Sequence, residues 1–252
     1  MENILKRKLI QNKFVFGTWS SIPSPVITDI LSNTKLDFIV IDLEHGFYSF
    51  TDVENAVRST EGKKITAIVR TQNASSDHIL KCLETGVKSI LVPHVSNEKT
   101  AKKIVESCYY RPIGKRGLSP YTRVHNYNDL TIKKTINAAN REILVGVLIE
   151  GTEGINNFES ICKIKGLDLI YIGLFDLAQS IGIKDGSINT SKLKSIIKKF
   201  SKIAKKNNKF LGCMSNTVSQ IKDLKKNNVQ FIAYLNDAGA IKKFFDDQLK
   251  KI

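Results

Sequence analysis

The chain has 252 residues, 42% of them hydrophobic, and its 39 basic and 24 acidic side chains leave a net charge of +15. That length and apolar content bury a core without staples, and the four scattered cysteines, Cys82, Cys108, Cys162 and Cys213, show no CxxC spacing, which argues against a zinc site and for reduced thiols in the cytoplasm. The start MENILKRKLIQNKF is too polar for a secretory signal and no run of 18 apolar residues occurs, so neither export nor a membrane-spanning helix is expected.

The first expected strand is FVFGTWS (14–20), followed by the helix-like SPVITDILSNT. DFIVIDL (37–43) is the second and ITAIVRT (65–71) the third. The helix SSDHILKCLETG comes next, with Ser as N-cap and Gly86 as its stop. KSILVPHV (88–95) leads into NEKTAKKIVESC. Residues 109–128, YYRPIGKRGLSPYTRVHNYN, are aperiodic, with two prolines, three arginines and four tyrosines; a loop this long suggests a lid or an oligomer contact. EILVGVLIE (142–150) and the helix NNFESICKI precede LDLIYIG (167–173). The long TSKLKSIIKKFSKIAKKNN, the strand KFLGCMS (209–215), the helix TVSQIKDLKKNN, the strand QFIAYLN (230–236) and the helix AGAIKKFFDDQL complete the series.

The strands are almost continuously apolar, as in a parallel sheet covered on both faces. Eight of them alternating with helices predict a (β/α)₈ barrel, one domain over residues 1–252. An open doubly wound sheet is the rival, but the Gly-rich dinucleotide turn and the Walker A loop are both absent. The lysines sit in KK pairs along helices and are not interleaved with aromatics. They read as a solvated face rather than a nucleic-acid or membrane surface, and their field favours small anionic substrates.

Barrel enzymes carry their chemistry at the C-terminal ends of the strands. Strand two ends in Asp42, Leu43, Glu44 and His45, strand three in Arg70, strand five in Glu150, and Asp176 lies just past strand six. Glu150 and Asp176 end adjacent strands about 4.8 Å apart. Each alone suits a helix cap; together they suit a hard divalent ion, Mg²⁺, Mn²⁺ or Co²⁺. Arg70 is read either as a structural ion pair with a barrel acid or as a donor to a substrate oxyanion. His45 is the natural base, with Asp42 or Glu44 orienting its ring, although a strand-tip histidine is as often structural. His94 also ends a strand and is a minor candidate. Lys88 and Lys209 stand at strand starts, the wrong end for a Schiff-base aldolase.

The segments GTWSSIPSP (17–25), DFIVIDLEHG (37–46), VRTQN (69–73), ETGVKSILVPHV (84–95), RPIGKRG (111–117), VLIEGTEGINN (147–157) and DLIYIGLFDLAQSIG (168–182) resemble the HpcH/HpaI aldolase family along nearly the whole chain. The resemblance implies a metal-dependent class II aldolase cleaving a 4-hydroxy-2-oxo acid to pyruvate and an aldehyde, or running the reverse addition. It implies Glu150 and Asp176 as metal ligands, Arg70 on the enolate oxygen, and His45 as base with Asp42 behind it. Trp19 becomes an apolar wall near the methyl carbon, and Gly173 lets backbone amides approach the carboxylate of the 2-oxo acid. Glu84 stands where an acid reaches into a neighbouring subunit, which with Phe244 and Phe245 in the last helix implies a homo-oligomer, a trimer or a trimer of dimers. Leu148, Leu174 and Phe175 depart from the family pattern beside the metal acids, and Phe175 joins Tyr110–Asn128 as the expected aldehyde pocket. The alternatives are an acyl-CoA carbon–carbon lyase of the same superfamily, a 2-oxo-acid-binding relic, or a basic interaction protein.

Overall fold

A computed structural model describes residues 2–127, 131–185 and 187–252. β1 (Val15–Ser20), β2 (Phe38–Asp42), β3 (Thr66–Arg70), β4 (Ser89–Val92), β5 (Leu144–Ile149), β6 (Leu169–Ile172), β7 (Phe210–Ser215) and β8 (Phe231–Asn236) pair in sequence order, all parallel. β8 pairs back onto β1, so the sheet closes and the doubly wound alternative falls away.

Around the barrel run α1 (Ile4–Ile10), α2 (Pro25–Ser32), α3 (Phe50–Thr60), α4 (Ser76–Glu84), α5 (Glu98–Cys108) and α6 (Ile132–Glu142). α7 (Thr152–Asn156), α8 (Phe158–Cys162), α9 (Leu174–Ser180), α10 (Ser191–Lys206), α11 (Val218–Lys226) and α12 (Asp237–Leu249) follow. Local chemistry explains the starts: Ser24, Ser75, Asn97, Thr190, Thr217 and Asn236 each accept a first-turn backbone N–H. Gly86, at φ +90°, stops the chain after α4 as expected.

Helices α1, α3, α6, α7 and α9 are absent from the sequence reading. For α3 the signal was present: Ser49 and Asp52 form a reciprocal capping box, and Val53, Ala56, Val57 and Thr60 are its buried face. α1 exists because Leu5 and Leu9 bury themselves in the cluster that fills the barrel. Asn3 anchors it, donating from Nδ2 to Lys88 O, Ser89 Oγ and Glu142 O.

The barrel interior is filled by Phe38, Val40, Ile68, Leu91, Leu148, Leu169, Tyr171 and Phe231, among others. Phe38 and Phe231 stack at 3.9 Å. Gly17 is required there, since a Cβ would lie 2.3 Å from the Phe38 ring. Above this plug, Trp19 Nε1 donates to Tyr171 Oη at 3.1 Å. A filled lumen confines any substrate to the rim.

Lys209 Nζ donates to Ile164 O and Leu167 O, at the end away from that rim. The four cysteines are free and buried. Of the segment 109–128, residue 128 lies outside the described residues. Within the rest, Tyr110 is buried, the Arg116 guanidinium lies 4.4 Å over its ring, and Tyr110 Oη meets His125 Nε2 at 3.2 Å. Among the described residues no helix is long and apolar enough to cross a membrane.

Candidate active site

Parallel register places Asp42 opposite Arg70 at the ends of β2 and β3. The Arg70 fork meets the carboxylate twice, Nε to Oδ1 at 2.8 Å and Nη2 to Oδ2 at 2.5 Å. Nη1 lies 2.8 Å from Glu44 Oε2, and the guanidinium stands 4.6 Å above the Trp19 ring. Burial opposes the charge on Arg70, but Asp42, Glu44 and Glu150 outweigh it and hold the group above its ordinary value.

Asp42 Oδ1 also accepts the backbone N–H of Glu44 and of His45, at 3.0 and 3.2 Å. It thereby shapes the turn after β2. The His45 side chain is exposed on that turn. The expected service of Asp42 to the His45 ring is replaced by service to Arg70 and to the backbone of the turn. The reason is geometric: both carboxylate oxygens face the guanidinium fork.

Glu150 follows β5 and is 7% exposed. Its Oε1 accepts the backbone N–H of His94 at 2.6 Å. The His94 ring turns back on the same oxygen, with Nδ1 at 2.9 Å, while Nε2 lies 2.6 Å from Glu44 Oε1. His94 sits at φ 57°, the left-handed region that side-chain-bearing residues rarely adopt. Burial pushes the Glu150 carboxyl above its usual range; His94 counters this, while Glu44 and Asp176 add to it. Gly173 follows β6 beside Glu150, and a Cβ there would sit 2.7 Å from Glu150 Oε2.

A continuous line of polar side chains therefore runs from Asp42 through Arg70, Glu44 and His94 to Glu150. Glu44 and His94 were only secondary in the sequence reading. Their adjacency depends on the backbone turn at His94, which periodicity does not report. Asp176, in the first turn of α9, is exposed and close enough to Glu150 to raise it. Phe175 is 47% exposed at the rim. Glu84 ends α4 on the far side of the barrel, where Arg116 Nη2 donates to it at 3.2 Å. It does not meet the other candidates within one chain.

The donor set tests the expected metal. Among the described residues no three His, Cys, Asp or Glu side chains converge as ligands. Glu150 Oε1 already carries the His94 amide and faces its ring, Oε2 lies against Gly173, and Asp176 is exposed on α9. In this arrangement the two acids do not fit a shared divalent ion.

Fold and site together define a barrel enzyme with its polar groups gathered on the C-terminal rim. The chain belongs to the HpcH/HpaI aldolase/citrate lyase family, whose family model matches residues 15–240. It is 32% identical over 182 residues to a pyruvate aldolase of Rhizobium etli, covering 71% of this chain and 70% of that one. It is 27% identical to a 5-keto-4-deoxy-D-glucarate aldolase of an Enterobacter species, covering 95% and 93%. Among solved structures, the citrate synthase SbnG superposes with a TM-score of 0.88 at 28% identity, covering 98% and 96%. The chain is thus an enzyme of the aldolase/lyase type.

Proposed function

We propose that the protein makes or breaks the bond between the third and fourth carbons of a 4-hydroxy-2-oxo acid held at the barrel mouth. The observation that carries this reading is Arg70, whose guanidinium is buried at a strand tip on Trp19 and fixed edge-on by Asp42. Such a fixed cation suits an oxygen that gains charge as an enolate forms. In the cleavage direction, a 4-hydroxy-2-oxo acid yields pyruvate and an aldehyde. A base takes the 4-hydroxyl proton, the bond between the third and fourth carbons breaks, and its electron pair becomes the enolate. His45 is placed in the role of base, on the turn that Asp42 pins. Trp19 forms the wall below the methyl carbon. Gly173 keeps side chains away from the substrate carboxylate, and Phe175 at the rim bounds the aldehyde.

The family is generally divalent-metal dependent, and the metal-dependent form of the reading would put Mg²⁺ or Mn²⁺, with Co²⁺ third, on Glu150 and Asp176. The contact of His94 on Glu150 stands against it. Homo-oligomerisation as a trimer or trimer of dimers belongs to the same reading, supported by exposed Phe244 and Phe245 on α12. So does a cytoplasmic location, supported by four free cysteines.

A second reading is favoured by the likeness to a citrate synthase over nearly the full chain. Here the 2-oxo acid is the acceptor, and an acyl thioester supplies the carbon nucleophile. Product mass separates the two. Pyruvate with a panel of aldehydes tests the first, and oxaloacetate with acetyl-CoA the second. Exchange of the pyruvate methyl protons with solvent reports enolisation directly. No new product in either set, together with no exchange, rejects the proposal.

A further inference from the structure

We propose that His94 takes the place of the divalent ion: in this chain the imidazole is the partner of Glu150, and enolisation of the 2-oxo acid proceeds without a bound metal. The inference rests on the 2-oxo-acid reading above but is tested apart from it.

Three observations converge. First, Glu150 Oε1 is approached twice by one residue, by the His94 amide at 2.6 Å and the ring Nδ1 at 2.9 Å. A hard divalent ion bonds carboxylate oxygen at about 2.0–2.2 Å and needs that lone-pair space for itself. The other oxygen lies over Gly173, 2.7 Å from where a Cβ would stand. Second, the left-handed turn at His94, φ 57°, is what brings amide and ring onto the same oxygen. Such a conformation persists only where its surroundings enforce it, and it concentrates at functional sites. Third, the ring is gripped from its other side, with Nε2 2.6 Å from Glu44 Oε1, and Glu44 Oε2 is itself 2.8 Å from Arg70 Nη1. Swinging the ring aside to admit a metal ion would break contacts to two acids, one of them tied to Arg70. The face of the ring away from these contacts is open, since the side chain is 66% exposed, so a substrate oxygen can reach it.

The test titrates Mn²⁺ into EDTA-stripped full-length protein by calorimetry, using wild type, H94A, E150Q and the double variant. Pyruvate methyl proton exchange is followed in EDTA in parallel. The wild type is expected to show no Mn²⁺ binding that E150Q removes, and to retain exchange in EDTA. H94A is expected to gain such binding, tighter than wild type by at least about tenfold, ~1.4 kcal/mol, and the double variant to lose it. A residue with only a structural role would not create an ion site on removal. The proposal is overturned by any of three results: Glu150-dependent Mn²⁺ binding in the wild type, no gain in H94A, or exchange stopped by EDTA and restored by Mn²⁺. Should H94A fail to fold, H94Q serves, because its amide cannot bridge Glu44 and Glu150 together. If no exchange occurs under any condition, the 2-oxo-acid reading fails, while the Mn²⁺ titrations still decide the place of His94.

Discussion

Asp42 and Arg70 are cross-strand partners, and their side chains meet through two parallel bonds of 2.8 and 2.5 Å. Neighbouring strands run about 4.8 Å apart, so residues in register on one side of the sheet reach each other without bending the backbone. The pair is buried over Trp19, where an unmatched charge is costly. One acid is thereby spent on holding a cation in place, and the cation is left to face the rim.

Removing Asp42 leaves that cation with Glu44 as its remaining ion-pair partner. Asp42→Ala is expected to destabilise the fold by about 1–3 kcal/mol, the cost of the lost charge-assisted bonds, read by urea unfolding. Arg70→Lys keeps the charge but loses the fork. It should keep most of the stability and lose kcat/KM by about 10²-fold. Equal losses in the two assays for both variants would contradict this division.

Gly173 lies so close to Glu150 that an added methyl group has nowhere to go: its Cβ would be 2.7 Å from Oε2 and 2.8 Å from the Glu150 Cβ. Gly173→Ala should displace Glu150 at a cost of about 1–3 kcal/mol and weaken 2-oxo-acid binding, measured as KM. A variant with unchanged KM and stability would mean that Glu150 shifts freely.

Asp168 precedes β6, where its Oδ2 accepts the Val145 N–H at 3.0 Å and lies 3.3 Å from Lys6 Nζ. Burial pushes this carboxyl above its ordinary 3.8, against the pull of Lys6 and Val145. A group whose folded pKa is raised contributes stability below the unfolded value and loses it as pH rises through the folded one. Wild type should therefore lose stability relative to Asp168→Asn as pH climbs from below 3.8. Urea unfolding of both proteins across that window checks the sign, and a difference that moves the other way would refute it.

The thiols of Cys82, Cys108, Cys162 and Cys213 are all pushed up to about 12 by burial. A thiol that is neither ionised nor accessible does not attack a reagent. None of the four should react with a thiol dye near neutral pH in the native protein, and all four should react in denaturant. Fast labelling of any one in the folded state would show that the helix layer opens locally.

The strands were legible because each is a short apolar run between turn residues, and the eight observed strands fall inside the eight expected ranges. Their parallel order followed from the intervening helices. From that order alone, Asp42, His45, Arg70, Glu150 and Asp176 belong to one end of the barrel. α1 was missed because what stabilises a short helix is the surface it covers, and Leu5 and Leu9 find theirs only once the barrel exists.

Composition and periodicity thus determined the barrel and which end of it carries polar groups, because burial and strand length are local properties of the chain. Tertiary structure alone decided the partners at that end. Asp42 went to Arg70 and Glu150 to His94, since hydrogen-bonding register and one left-handed turn set which oxygen faces which nitrogen. Distances of a few ångströms between residues far apart in sequence depend on closure of the whole sheet, and no stretch of sequence encodes them by itself.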